Sequence, residues 1–69
     1  MKNKILVQFG NRVRSIRSQR GISQEKLAIL AGVHRTYVGM IERGEKNITL
    51  LNIYKISSAL GVKPSEIFL

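Results

Sequence analysis

Apolar residues recur at helical spacing along the chain, and glycines separate the runs. Phe9, Val13 and Ile16 stand at i, i+4 and i+7, the stripe of an amphipathic helix predicted over about residues 7–20, with Gly21 after it. Ser23 is a favoured N-cap, and Gln24-Glu25-Lys26 precede Leu27, Ala28 and Ala31, the buried face of a second short helix that Gly32 closes. A third helix is predicted over about residues 35–43, with Val38 and Ile41 turned inward and Gly44 as its terminator. Asn47-Ile48-Thr49 then lead into a fourth, capped by Thr49, in which Leu50, Ile53, Ile56 and Leu60 are read as core and Gly61 as the stop. Lys63-Pro64-Ser65-Glu66 places proline in the first turn of a last short helix carrying Ile67 and Phe68. The predicted fold class is all-α, five short helices without a strand. No repeat or linker interrupts them, so residues 1–69 are read as a single domain.

Length and charge narrow the function. A chain of 69 residues buries about 60% of its surface on folding, enough for a small core. Without cysteine or a metal-ligand cluster, further stability must come from helix packing or from a second copy, so a homo-oligomer is expected. Twelve Lys and Arg against four acidic residues give a formal charge of +8, which favours an anionic partner. Nucleic acid is the first candidate and an acidic membrane surface the second. A hydrophobic share of 43% excludes a disordered basic tail. The opening Ile5-Leu6-Val7 run ends at Gln8, too soon for a signal peptide, and no stretch is long enough to span a bilayer. A soluble cytoplasmic protein is therefore expected, with no cofactor, metal or small-molecule ligand. An enzyme is disfavoured because no nucleophile–base pair, phosphate loop or metal site is present.

The charge is uneven: ten of the twelve bases fall in the first 46 residues, leaving only Lys55 and Lys63 beyond. In that basic part, residues 24–43 combine a helix of about eight residues, a glycine turn and a helix of about nine, the spacing of a helix-turn-helix. Ala28 is small where the helices cross, and Gly32 accepts the positive φ of the turn. With Val38 and Ile41 buried, the outer face of the second helix holds Arg35, Thr36, Gly39, Met40 and Arg43. Arg35 sits at the end that meets base edges in this motif, where a guanidinium matches guanine O6 and N7. Thr36 offers a hydroxyl or a methyl, and Tyr37 borders the face with its hydroxyl in reach of a phosphate. Gly39 costs about 1 kcal/mol relative to alanine, explained either by a groove wall pressed on the helix or by a neutral exposed position. Gln24 and the free N–H groups that begin the first helix suit a phosphate, and Arg43, Lys46 and Asn47 form a basic corner on the far side.

The runs Gly21-Ile22-Ser23-Gln24-Glu25-Lys26-Leu27-Ala28, Ala31-Gly32-Val33-His34-Arg35-Thr36-Tyr37-Val38 and Ile41-Glu42-Arg43-Gly44 resemble the phage-repressor/Cro (XRE) family of helix-turn-helix regulators. Phe9-Gly10-Asn11-Arg12-Val13-Arg14, His34-Arg35-Thr36-Tyr37, Arg43-Gly44-Glu45-Lys46-Asn47-Ile48-Thr49-Leu50 and Ser65-Glu66-Ile67-Phe68 are most similar to the controllers of restriction-modification systems. The resemblance implies a five-helix repressor-like domain, a homodimer on a near-palindromic double-stranded DNA operator, and activation at low but repression at high concentration. Two dimers on adjacent sites are a further option. It implies base and groove contacts from Arg35, Thr36 and Tyr37, and backbone contacts from Gln24, Arg43, Lys46, Asn47 and Asn52. It also implies that Arg17 pairs with Glu42, a bidentate link that would set the angle of the recognition helix while the arginine still leans toward DNA. Gly39 and Met40 replace the polar residues often found there, so operator shape would carry more of the specificity.

For the dimer, Leu51 and Tyr54 lie off the core face of the fourth helix. With Ile67, Phe68 and Leu69 they are expected to form an apolar contact patch. Competing readings remain at this level. Leu51 and Tyr54 are also ordinary as isolated exposed residues, Lys2, Lys4, Lys55 and Lys63 are read as solvated, and His34 is read as a cap rather than a ligand. Within the regulator class the alternatives are a phage or plasmid repressor and an antitoxin. Outside it stands a basic membrane-surface protein, for which the first helix supplies an apolar stripe.

Overall fold

Five helices follow one another in the computed structural model, which describes residues 3–68: α1 (Lys4–Gln19), α2 (Gln24–Ala31), α3 (Arg35–Glu42), α4 (Leu50–Leu60) and α5 (Pro64–Ile67). No strand occurs among the described residues. Side chains start four of the helices. Asn3 accepts from the Ile5 N–H at 2.8 Å, Ser23 from Lys26 at 3.0 Å, His34 Nδ1 from Thr36 at 3.1 Å and Thr49 from Asn52 at 3.2 Å. The Asn3 cap begins α1 three residues earlier than its apolar stripe indicates. His34 thus serves as a cap.

The core draws on every helix: Phe9, Val13 and Ile16 from α1, Leu27, Ala28 and Ala31 from α2, Val38 and Ile41 from α3, Ile56 and Leu60 from α4, and Ile67 from α5. Leu50, read as core, is 83% exposed. It is the first residue of α4, ahead of the buried Ile56, Ser57 and Leu60, and lines an apolar groove with Leu51, Ile53, Tyr54 and Pro64. Ile67, expected on an apolar outer patch, is only 2% exposed and belongs to the core. The proline-started turn of α5 points it inward, leaving Phe68 outside.

One close approach fixes how α1 meets the helix-turn-helix. Gly10, in the middle of α1, is buried against the last turn of α3, where a Cβ would run into the Ile41 carbonyl oxygen and stand 2.8 Å from that of Glu42. Only a residue without a side chain allows that contact at van der Waals distance.

Candidate nucleic-acid interface

Glu42 is the hub beneath α3. Its side chain is 2% exposed and takes Arg17 Nε at 2.6 Å and Nη2 at 3.0 Å on its two oxygens. Gln24 Nε2 adds a third bond at 3.0 Å, and Arg17 Nη1 donates to the Ile22 carbonyl at 2.9 Å. α1, α2 and α3 are thereby tied at one carboxylate. Hydrogen bonding to Glu42 raises the Arg17 pKa above its ordinary value, burial works against it, and the Glu42 charge adds to the rise. The Arg17–Glu42 pair is therefore present, but all three guanidinium nitrogens are engaged and the side chain is 14% exposed. Arg17 holds the motif together, and its small exposed part borders the surface.

Above this hub lies an open groove of about 600 Å³ lined by Arg17, Ser23, Gln24, Glu25, Arg35, Thr36, Gly39 and Arg43. Arg35 and Thr36 are exposed on the first turn of α3. Arg35 Nη1 lies 3.5 Å from Glu25 Oε2, and Arg43 Nε donates to Glu45 Oε1 at 3.0 Å. Both are exposed pairs that water and salt weaken. Gln24 faces the groove at the start of α2, though its amide also serves Glu42. Gly39, expected on the exposed face, is buried instead, covered by the side chains of Arg43 and Gln24. Met40 is half-buried.

Tyr37 is positioned from α4. Its half-buried ring packs against the core, and Asn52 Nδ2 donates to its hydroxyl at 2.9 Å. The Tyr37 proton is left free to donate. Lys46 Nζ stands 6.0 Å from the ring centroid, within cation–π range. Asn47 is exposed beside it. Asn52, expected at the DNA backbone, thus makes its contact with Tyr37. Glu25 and Glu45, the acidic partners of the two groove arginines, escaped the sequence reading. Their signal was scarcity, because only four acidic residues occur and three of them pair with arginines of this region. Among the described residues no cluster of His, Cys, Asp and Glu could hold a metal ion.

The helix-turn-helix family model HTH_3 matches residues 13–67, from the middle of α1 to the end of α5. The chain belongs to the helix-turn-helix family. Control protein C.BamHI of Bacillus amyloliquefaciens is 53% identical to it over 68 residues, 97% of this chain and 84% of the relative. Control protein C.MunI of Mycoplasma sp is 40% identical over 67 residues, 96% of this chain and 90% of the relative. The crystal structure of the restriction-modification controller C.AhdI from Aeromonas hydrophila matches with a TM-score of 0.90 at 51% identity, covering 91% of this chain and 96% of that one. Among helix-turn-helix transcription regulators the chain therefore groups with the restriction-modification controllers.

The apolar exterior of this helix-turn-helix chain is divided. Leu50, Leu51, Ile53, Tyr54 and Pro64 line one almost wholly apolar groove of about 460 Å³. Phe68 lies elsewhere in the pattern: its ring is 5.2 Å from that of Phe9, and with Ile5 and Gln8 it borders a small separate hollow. Leu69 lies outside the described residues. The expected patch of Leu51, Tyr54, Ile67, Phe68 and Leu69 thus reduces, among the described residues, to the α4 groove plus Phe68. The apolar stripe of α1 that a membrane-surface role needs is spent on the core, and among the described residues no helix is long and apolar enough to cross a membrane.

Proposed function

We propose that the chain is a sequence-specific duplex-DNA-binding regulator of restriction-modification genes, acting in the cytoplasm as a single-domain protein that dimerises on a near-palindromic operator. The observation that carries the reading is α3, which buries Val38 and Ile41 while Arg35 and Thr36 stand exposed on its first turn beside the open groove. In a helix-turn-helix that end of the second helix enters the major groove. Arg35 gives up the weak Glu25 contact and donates to guanine O6 and N7, and Thr36 meets the neighbouring base edge. Tyr37, with its proton free, and Lys46, Asn47 and Gln24 at the start of α2 take phosphates. Met40 borders the groove wall, and Asn52 acts through Tyr37.

A second copy covers the α4 groove. Leu50, Leu51 and Tyr54 are large, apolar and exposed on one face, and a domain this small gains most from covering such a patch. A two-fold dimer sets the two recognition helices about 34 Å apart, one turn of DNA.

Footprinting of the purified protein on the DNA upstream of its own gene tests the reading. Two tandem protected palindromes support a controller. One palindrome supports a simple repressor, and protection only with a second protein supports an antitoxin. Absence of protection, together with an affinity for duplex that does not change with salt, would refute DNA binding, because each neutralised phosphate should contribute a slope of about −0.9.

A further inference from the structure

We infer that Gly39 is a specificity-determining position, a seat that brings the Arg43 guanidinium into the base-reading surface beside Arg35. The inference rests on the DNA-binding reading above and deepens it. Arg43 is the C-cap of α3, eight residues after Arg35. At about 1.5 Å per residue its Cα lies about 12 Å further along the axis, away from the helix end that reads bases in this motif. A phosphate contact would be its natural role from there.

The side chain does not stay there. Helical side chains lean toward the N-terminus, over the residue one turn earlier, and for Arg43 that residue is Gly39. Arg43 Nη1 lies 3.1 Å from the place a Gly39 Cβ would occupy and Cζ 3.9 Å, with Gln24 Oε1 at 3.7 Å. The guanidinium fills the space that another residue would give to its own side chain. Its charge thus sits near residue 39, about 6 Å along the axis from the Arg35 Cα rather than about 12 Å.

The chain after α3 holds it in place. Gly44, at φ 73°, closes the helix with its N–H on the Ile41 carbonyl at 3.0 Å, and the Glu45 N–H returns to the Met40 carbonyl at 2.9 Å. That turn brings the Glu45 carboxylate back to Arg43 Nε at 3.0 Å. Nη1 is left beside Gly39, and Arg43 lines the same groove as Arg35. Two guanidinium groups on one groove wall can each take a guanine, so Arg43 joins Arg35 as a base reader. The weak helix propensity of a central glycine is tolerated for the sake of this seat.

The test compares the wild type with Arg35→Ala, Arg43→Ala, Gly39→Ala and Gly39→Leu at fixed salt. Affinities are measured for the footprinted operator, for operators changed at each base pair of the half-site, and for an unrelated duplex. Arg43→Ala is expected to lose at least fivefold discrimination at one base pair, a different one from that relaxed by Arg35→Ala. Gly39→Leu should lose the same discrimination with Arg43 still present, and Gly39→Ala part of it, although the alanine variant melts no lower than the wild type. Equal weakening of every duplex by Arg43→Ala, with a salt slope smaller by about one, would mark a phosphate contact and overturn the inference. So would a full base preference retained by both Gly39 variants. A wild-type protein that binds no operator would overturn the DNA reading itself.

Discussion

α1 and α3 each contain a central glycine, and the two should respond in opposite ways to the same substitution. Glycine to alanine within a helix ordinarily stabilises by about 1 kcal/mol. At Gly10 the added Cβ meets backbone, the Ile41 carbonyl oxygen and, at 2.8 Å, the Glu42 carbonyl oxygen. Neither can swing aside, because both belong to the turn that Gly44 closes and that Arg17 anchors through Glu42. α3 must retreat from α1, and overpacking of this kind costs about 1–3 kcal/mol or more. With the cost at the upper end, the helix gain leaves a net loss of about 2 kcal/mol. For a domain of this size that lowers the melting temperature by roughly 8–16 °C. At Gly39 the nearest atom is the far end of Arg43, which can move, so Gly39→Ala should gain up to about 1 kcal/mol. Urea and thermal unfolding followed by circular dichroism measure both, at one protein concentration so that association does not enter the comparison. A Gly10→Ala protein as stable as the wild type, or shifts of the same sign at both glycines, would refute the argument that backbone contact outweighs helix propensity.

Other substitutions separate the remaining roles. Arg17→Ala leaves a buried carboxylate with Gln24 as its remaining side-chain donor, and should cost about 3–5 kcal/mol in urea unfolding; a loss below 1 kcal/mol would mean that the pair is not structural. Arg35→Ala should cost about 1–3 kcal/mol on the operator and relax one base pair, read by competition binding, with unfolding unchanged. Leu51→Glu or Tyr54→Glu should leave the fold intact but give monomers in sedimentation equilibrium, and weaken operator binding in step. A dimer that persists would place the contact elsewhere. Asn52→Ala should lower operator affinity no further in a Tyr37→Phe background than that substitution does alone, since its contact is with the Tyr37 hydroxyl.

Where a residue's role follows from its local pattern, it is legible in the sequence. Ser23 and Thr49 precede apolar periodic runs and do cap α2 and α4. The helix-turn-helix boundaries follow from Gln24, Gly32 and Arg35 in the same way. Where a role depends on which elements meet, the pattern was silent or misleading. Leu50 fits a core spacing when counted from Ile53, yet it opens α4, ahead of the residues that the core covers. Gly10 sits between the core residues Phe9 and Val13 and thus on the inner side of α1, but what it approaches is decided by α3, more than thirty residues on. Ile67 and Phe68 are indistinguishable by hydropathy. Only the entry angle set by Pro64 separates an inward residue from an outward one. Glu25 and Glu45 look like solvated charges along the chain, and become partners of Arg35 and Arg43 only when the turns bring them round.

α4 has two working faces that point away from each other. One carries Asn52, which grips Tyr37 on the recognition helix, and the other carries Leu50, Leu51 and Tyr54. In a dimer closed through the second face, the first turn of this helix becomes a spacer, with the two-fold axis on one side of it and the recognition helix on the other. The gap between half-sites that the pair accepts is then gauged by a helix that touches no base. Operators whose half-sites are moved apart by a single base pair would be rejected by the thickness of that spacer as well as by its grip.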